Sequence, residues 1–99
     1  MVNVVLFCFA GMSTSLLVNK MKKAAEEENI SCTINAYGAG EMEEKGSEAD
    51  VILLGPQARF LLPKVKEQHP DKPVMVIDMQ MYGMMMGKET LIQALELLK

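Results

Sequence analysis

Short apolar runs, rich in β-branched residues, alternate along this chain with segments that carry helix-start signals or helical periodicity. The runs predict four β-strands, at residues 2–7, 30–36, 51–54 and 73–77. Strands that alternate with helices are joined by right-handed crossovers, which produce a parallel sheet with helices on both faces. The pattern therefore predicts an α/β fold, and the length of 99 residues suits one small domain, residues 1–99.

The polarity of two runs predicts where their strands lie in the sheet. The run 51–54 is uniformly apolar, which is typical of a strand that is buried on both faces. The run 30–36 alternates apolar with polar residues, which indicates a half-exposed strand at a sheet edge. Helices are predicted at residues 13–28 and 41–45, from Pro56 onward, and at residues 89–98. Pro63 either interrupts the third of these helices or starts a second turn.

Charge and cysteine content exclude several classes of function. The formal net charge of -3 argues against nucleic acid binding, which needs a clustered basic surface. The two cysteines, Cys8 and Cys32, allow no disulfide framework, and the sequence has no CxxC motif or Cys/His cluster to bind a metal. No apolar stretch approaches the length of a membrane span. We expect a cytoplasmic protein that does not insert into the membrane and uses neither a metal nor another cofactor.

Cys8 ends the first apolar run, and small and polar residues follow it directly. Ligands of parallel α/β sheets bind at the carboxyl ends of the strands, where Cys8 is predicted to lie. We predict a loop over residues 9–15 in which Gly11 provides backbone freedom and one of the hydroxyl residues caps the helix. The N–H groups of such a loop and the helix dipole bind an anion, most naturally phosphate. The predicted phosphate-binding residues are Phe9, Ala10, Gly11, Met12, Ser13, Thr14 and Ser15.

The same electrostatic field favours the thiolate form of Cys8, which is the nucleophilic form. Cys8 is then able to attack phosphorus and carry the phosphoryl group as a thiophosphate. The alternative is a free cysteine that closes a buried strand, because cysteine is among the most buried residue types. The polar loop after Cys8 favours the nucleophile, whereas Cys32 has no such loop and is predicted to be structural.

The loop lacks the parts that hydrolysis of a phosphate ester requires. In a cysteine phosphatase loop of this shape an arginine clamps the phosphoryl oxygens, and the corresponding position is Thr14. Arg59 is the only arginine of the chain. A phosphatase also needs an acid for the leaving group; Asp71 precedes the fourth strand at the wrong edge of the sheet, and Asp78 follows it at the right edge. The sequence therefore favours a phosphocysteine that waits for an acceptor.

The segment CFAGMSTSLL at residues 8–17 resembles the phosphocysteine loop of the IIB components of sugar phosphotransferase systems, lactose/cellobiose class. The resemblance continues through DVILLGPQ at residues 50–57, through Leu62-Pro63, and through VID at residues 76–78 followed by Tyr82-Gly83. It implies a four-stranded parallel sheet in the order 2-1-3-4, similar in shape to the low-molecular-weight tyrosine phosphatases.

The resemblance also implies an activity and two partners. Cys8 would take a phosphoryl group from a phosphohistidine of the IIA protein and pass it to a β-disaccharide of the cellobiose, lactose or chitobiose type. That sugar would be bound by the membrane IIC partner. A cysteine-dependent phosphatase or arsenate reductase on the same fold is the alternative, disfavoured because Thr14 stands where arginine is required. A pure interaction domain is disfavoured by the thiol and its anion-binding loop.

Three further features have more than one interpretation. His69, in a polar stretch, is predicted to be a solvated loop residue rather than a phosphate carrier. Tyr82 either reaches the phosphate loop or covers the sheet. The methionine run 84–86 is predicted to fill the core, with an adaptable docking surface as the alternative.

Overall fold

The computed structural model describes the backbone of residues 1–8 and 11–99 and the side chains of residues 1–8 and 15–99. In chain order its elements are β1 (Val2–Cys8), α1 (Gly11–Glu27), β2 (Cys32–Gly38), a 3₁₀-helix (Ala39–Glu41), α2 (Met42–Ser47), β3 (Val51–Leu54), a second 3₁₀-helix (Pro56–Leu61), α3 (Leu62–Gln68), β4 (Val74–Val76), α4 (Met79–Gly83) and α5 (Gly87–Glu96). The four strands are all parallel and lie side by side in the order β2-β1-β3-β4. The α/β class and the strand order are confirmed.

The burial of the strands follows their sequence polarity. Every residue of β3 is buried, because β3 lies in the centre of the sheet and both of its faces are covered. β2 lies at an edge, where the exposed side chains of Thr33 and Asn35 flank the buried Ile34. Both predictions about strand position are therefore confirmed.

Helices cover both faces of the sheet, and the alternation of side chains along β1 separates two apolar cores. Val4 and Leu6 pack on one face, together with residues of α1 and α5. Val5 and Phe7 pack on the other face, together with residues of α2 and α3. The two faces are therefore distinct environments. Even-numbered residues of β1 contact α1 and α5, whereas odd-numbered residues contact α2 and α3.

The helices after β3 and β4 differ from those predicted. The chain first forms the 3₁₀-helix that begins at Pro56, and α3 then begins at Leu62 with Pro63 in its first turn. Proline is tolerated there because the N–H that it lacks has no helical partner in the first turn. Pro63 thus starts a helix. α4 was not predicted, because its five residues are too few to show helical periodicity.

His69 is buried, so the prediction of a solvated loop residue is wrong. Its Nε2 lies 3.0 Å from the backbone oxygen of Met42, and its ring occupies the space next to Gly46, where a Cβ atom would collide with it. Glu67 and Asp71 near His69 are exposed, but the packing of α2 on α3 covers the ring itself. His69 follows α3, which returns the chain to the amino end of β4, so it belongs to a helix layer remote from Cys8.

Candidate active site

Cys8 is the last residue of β1, at the carboxyl end of a central strand. Because side chains alternate along a strand, Cys8 points to the same face as Val4 and Leu6, toward α1 and α5. Only 3% of the residue is exposed. The predicted nucleophile therefore lies at the sheet edge where ligands bind in such folds, and neighbouring groups cover it.

Gly55 lies next to Cys8 because of the register between β1 and β3. Phe7 pairs with Leu54, and the N–H of Gly55 donates to the backbone oxygen of Phe7 over 3.0 Å. A Cβ atom at Gly55 would lie 3.2 Å from Cys8 Sγ and 3.5 Å from Gln57 Oε1. The missing side chain of Gly55 therefore keeps the space beside the sulfur open.

Tyr82 approaches Cys8 from the side of β4. The chain leaves β4 with a hydrogen bond from the N–H of Ile77 to the backbone oxygen of Leu54, and Asp78 then caps α4 by accepting from the N–H of Gln80 at 2.7 Å. α4 places the Tyr82 hydroxyl 3.8 Å from Cys8 Sγ, in a buried position. The hydroxyl of Tyr82 thus contacts the site while its ring covers this face of the sheet, so the two interpretations of Tyr82 are compatible.

The connection between Cys8 and α1 is shorter than predicted. α1 begins at Gly11, so residues 9 and 10 alone separate it from β1. The seven-residue loop and the capping role of Ser13, Thr14 or Ser15 are therefore wrong: these three residues lie within α1, where Ser15 is exposed. The prediction failed because a cluster of hydroxyl residues is typical of a cap but is also tolerated in the first turns of a helix.

The earlier helix start changes which groups face the thiol. The first N–H groups of an α-helix have no intrahelical partner, and in α1 those of residues 11–13 are in this position. Phe9 and Ala10, and the side chains of Met12, Ser13 and Thr14, lie outside the described residues, so their predicted contacts with phosphate stay predictions. The amides predicted to bind an anion at this end of α1 therefore belong to the helix itself rather than to a long loop.

The contacts described for Cys8 are with neutral groups, the Tyr82 hydroxyl and the backbone of Gly55. Asp78 is exposed, and its carboxylate is engaged in capping α4. Arg59 is exposed in the 3₁₀-helix after β3. Cys32 lies apart on the edge strand β2, where burial raises the pKa of its thiol. These positions agree with a site that accepts and holds a phosphoryl group.

Across residues 1–8 and 11–99, no group of three or more histidine, cysteine or acidic side chains is placed to hold a metal ion. None of the helices formed by those residues is both long and apolar enough to span a membrane.

Sequence reasoning gave Gly55 no role beside the thiol and left Tyr82 undecided. A signal for Gly55 exists in the sequence, because it follows the third apolar run directly and strand ends of a parallel sheet meet at one edge. For Tyr82 the only signal is its position shortly after the fourth run. The contact itself depends on α4, which the sequence does not reveal.

Comparisons with known proteins agree with this architecture. Residues 3–93 match the family described as "PTS system, Lactose/Cellobiose specific IIB subunit". The oligo-beta-mannoside-specific EIIB component of the PTS of Bacillus subtilis is 44% identical over 101 residues, which cover 99% of this chain and 97% of the relative. The cellobiose-specific EIIB component of Lactococcus lactis is 43% identical over 98 residues, which cover 92% of this chain and 91% of the relative.

Solved structures show the same fold. The lactose-specific IIB domain of the phosphoenolpyruvate:carbohydrate phosphotransferase system (PTS) from Streptococcus pneumoniae superposes with a TM-score of 0.87 at 18% identity, over 99% of this chain and 98% of that one. The cellobiose-specific IIB protein from Borrelia burgdorferi gives a TM-score of 0.81 at 38% identity, over 97% and 90% of the two chains. The chain thus belongs to the lactose/cellobiose-specific IIB subunits of the PTS, which are sugar phosphotransferases.

Proposed function

We propose that Cys8 is the residue of this IIB subunit that carries the phosphoryl group. The observation that carries the proposal is the position of its thiol at the carboxyl end of β1, ahead of the N-terminus of α1 and 3.8 Å from the Tyr82 hydroxyl. Helix N-termini favour anions, because their first N–H groups and the helix dipole both point at the ligand. The proposed phosphate-binding segment is residues 9–15, in which the unpaired N–H groups of the first turn of α1 hold the phosphoryl group.

The proposed reaction has two transfers. In the first, the Cys8 thiolate attacks the phosphorus of a phosphohistidine on the IIA partner; the S–P bond forms, the N–P bond breaks, and the histidine nitrogen takes up a proton. In the second, a sugar hydroxyl attacks the same phosphorus; the O–P bond forms, the S–P bond breaks, and the hydroxyl proton passes to a base outside this chain. Cys8 is a thiolate again at the end of the cycle.

The partners and the sugar are proposed from the relatives. A protein of Lactococcus lactis named as the lactose-specific EIICB component is 38% identical to this chain over 55 residues. We propose that this chain works with a separate IIA phosphohistidine protein and a membrane IIC transporter, in the cytoplasm. The relatives are named for cellobiose, galactose and oligo-beta-mannosides. A β-linked disaccharide of the cellobiose, lactose or chitobiose type is the proposed acceptor.

Exposed apolar side chains near the carboxyl edge of the sheet support docking of other proteins there. They are Leu16 in α1, Phe60 in the 3₁₀-helix after β3, and Met79 and Met84 at the two ends of α4. Large apolar side chains exposed in one region are typical of protein interaction surfaces. Met85 and Met86 instead pack against the core, as predicted, and Met84 is the exposed residue of the methionine run.

Mass spectrometry after phosphorylation tests the proposal. The intact protein is incubated with a phosphorylated IIA protein of a lactose/cellobiose system, and the phosphorylated peptide is then identified at neutral pH. We expect one phosphoryl group, on Cys8, that disappears when IIC-containing membranes and the sugar are added. Phosphate on His69 or Cys32 instead would overturn the assignment.

Gly55→Ala is expected to slow phosphoryl acceptance by about ten-fold to a hundred-fold, because the added methyl group lies in the space beside Cys8 Sγ. The backbone of Gly55 is extended, with φ of -62° and ψ of 155°, so alanine fits there without backbone strain.

Gly38→Ala is the matched control for that variant. Gly38 pairs with Cys8 on the opposite neighbouring strand, is also extended, and has no atom within 4 Å of a Cβ position. The rates are measured with phosphorylated IIA in rapid-quench experiments. Equal rates for the two variants would show that the space beside the sulfur is not used.

The isolated protein is expected to turn over p-nitrophenyl phosphate at a rate near background. Position 14 is threonine rather than arginine, and Asp78 is engaged in the cap of α4, so the leaving group has neither a clamp nor an acid. The release of p-nitrophenol is followed with the unmodified protein and with Cys8→Ser. Robust turnover that depends on Cys8 would favour the phosphatase alternative.

A further inference from the structure

Tyr82 is the described side chain whose hydroxyl meets the reacting sulfur, at 3.8 Å from Cys8 Sγ. We infer that this hydroxyl donates a hydrogen bond first to the Cys8 thiolate and then to the phosphoryl group on it, so that a neutral donor takes part of the role of the phosphatase arginine. The inference rests on the proposed function of Cys8. It concerns a residue outside the predicted loop, since Tyr82 lies in α4.

The position of the hydroxyl is fixed by the burial of the ring and by the cap of α4. Only 6% of Tyr82 is exposed, and its neighbour Met81 is also buried. The N–H of Tyr82 donates to the backbone oxygen of Asp78 at 2.9 Å, and the Asp78 side chain caps the same helix. A donor that is already immobilised loses little entropy when charge develops on the phosphoryl group, which is the condition for electrostatic stabilisation of a transition state.

The turn that follows α4 contains a residue in an unfavourable backbone conformation. Met85 has a φ of 53°, a left-handed conformation that is unfavourable for a side chain with a Cβ atom. It allows the chain to turn out of α4 after Gly83, with hydrogen bonds from the N–H of Met85 to the backbone oxygen of Tyr82 and from the N–H of Met86 to that of Met81. Backbone strain of this kind persists where the surrounding packing requires it, often at functional sites.

A neutral donor also fits the chemistry of a carrier. The phosphoryl group must be held on sulfur and then released to an acceptor, so a hydroxyl stabilises its oxygens without adding a fixed positive charge. During both transfers Tyr82 keeps its own proton. The S–P and N–P bonds, or the O–P and S–P bonds, are the only heavy-atom bonds that change, and no further reactant is needed.

Tyr37 provides a matched control, because the chain has two tyrosines and no tryptophan. Tyr37 is half-buried on the other face of the sheet, with its ring centroid 6.4 Å from that of Phe7 and Lys45 Nζ 5.2 Å from its centre. Tyr37→Phe therefore removes the same hydroxyl from a tyrosine that has no place in the site.

The kinetic test compares Tyr82→Phe, Tyr37→Phe and the unmodified protein as acceptors from phosphorylated IIA. We expect Tyr82→Phe to lower kcat by about ten-fold to a hundred-fold, the effect of removing one hydrogen bond to a charged group. KM for phosphorylated IIA and the midpoint of thermal unfolding should not change, because the buried ring remains in place. Tyr37→Phe should leave kcat unchanged.

A spectroscopic test separates a hydrogen bond from mere packing. In Tyr37→Phe the single remaining tyrosine is Tyr82, and its fluorescence should change when Cys8 is phosphorylated. In Tyr82→Phe the remaining Tyr37 should show no change. Equal kcat values for the two variants, or no fluorescence change in Tyr37→Phe while mass spectrometry finds phosphate on Cys8, would overturn the inference and leave the proposed function intact. A lack of phosphate on Cys8 in the unmodified protein would instead overturn the proposed function.

Discussion

Cys8→Ser is expected to abolish phosphoryl acceptance, with a loss of more than about a thousand-fold, because a serine hydroxyl is a weak nucleophile without an adjacent base to activate it. The protein should remain folded. Oxygen is smaller than sulfur, so the serine side chain fits the space that Gly55 leaves open and creates no new contact with Tyr82. Transfer from phosphorylated IIA is measured by quench-flow, and folding is measured by circular dichroism.

Cys32→Ser is the control that makes this result specific. Cys32 lies on the edge strand β2, and burial raises the pKa of its thiol, so it stays protonated and poorly nucleophilic near neutral pH. We expect normal transfer from this variant. If Cys32→Ser lost transfer while Cys8→Ser retained it, the carrier would be Cys32 and the site at the end of β1 would need another function.

The predictable part of this site follows from sheet geometry. A uniformly apolar run and an alternating run are physically different strands, and their positions in the sheet follow from how much of each must be buried. The chemistry then concentrates at the carboxyl ends of the strands, and Cys8 is a strongly nucleophilic residue type at such an end. Local sequence was sufficient for these conclusions because each depends on one strand at a time.

The unpredicted part depends on contacts between distant segments. Tyr82 contacts Cys8 although 74 residues separate the two in the sequence. The helix that positions Tyr82 has five residues, too few for hydrophobic periodicity to reveal it. The burial of His69 also depends on a distant segment. The ring is covered by α2, and its neighbours in the sequence give no sign of that contact. The start of α1 failed differently, because hydroxyl residues suit both a cap and a first helical turn.

The two helices on the Cys8 face approach each other closely at Gly87. Gly87, the first residue of α5, lies against the backbone of α1, and a Cβ atom there would be 2.6 Å from the carbonyl carbon of Lys20 and 2.7 Å from the nitrogen of Met21. These are backbone atoms, which cannot rotate away as a side chain can. Any larger residue at position 87 must therefore separate the two helices.

Gly87→Ala is thus expected to destabilise the protein by about 2–3 kcal/mol, at the upper end of the usual cost of overpacking. In a domain of this size that loss lowers the midpoint of thermal unfolding by roughly 10–20 °C. Gly83→Ala is the matched control. Gly83 is the last residue of α4 and has open space at its Cβ position, so alanine should leave stability unchanged or raise it by up to about 1 kcal/mol.

Gly87→Ala should also affect the active site, because the packing of α5 supports the position of Tyr82. α5 follows α4 after a short turn, and Leu91 of α5 packs in the apolar core that also contains Met81 and Tyr82. Movement of α5 away from α1 should displace α4 and with it the Tyr82 hydroxyl. We therefore expect Gly87→Ala to slow phosphoryl acceptance even below its unfolding transition, where Gly83→Ala reacts normally. Equal unfolding midpoints for the two variants, measured by circular dichroism, would show that the close approach of α5 to α1 does not support this face of the sheet.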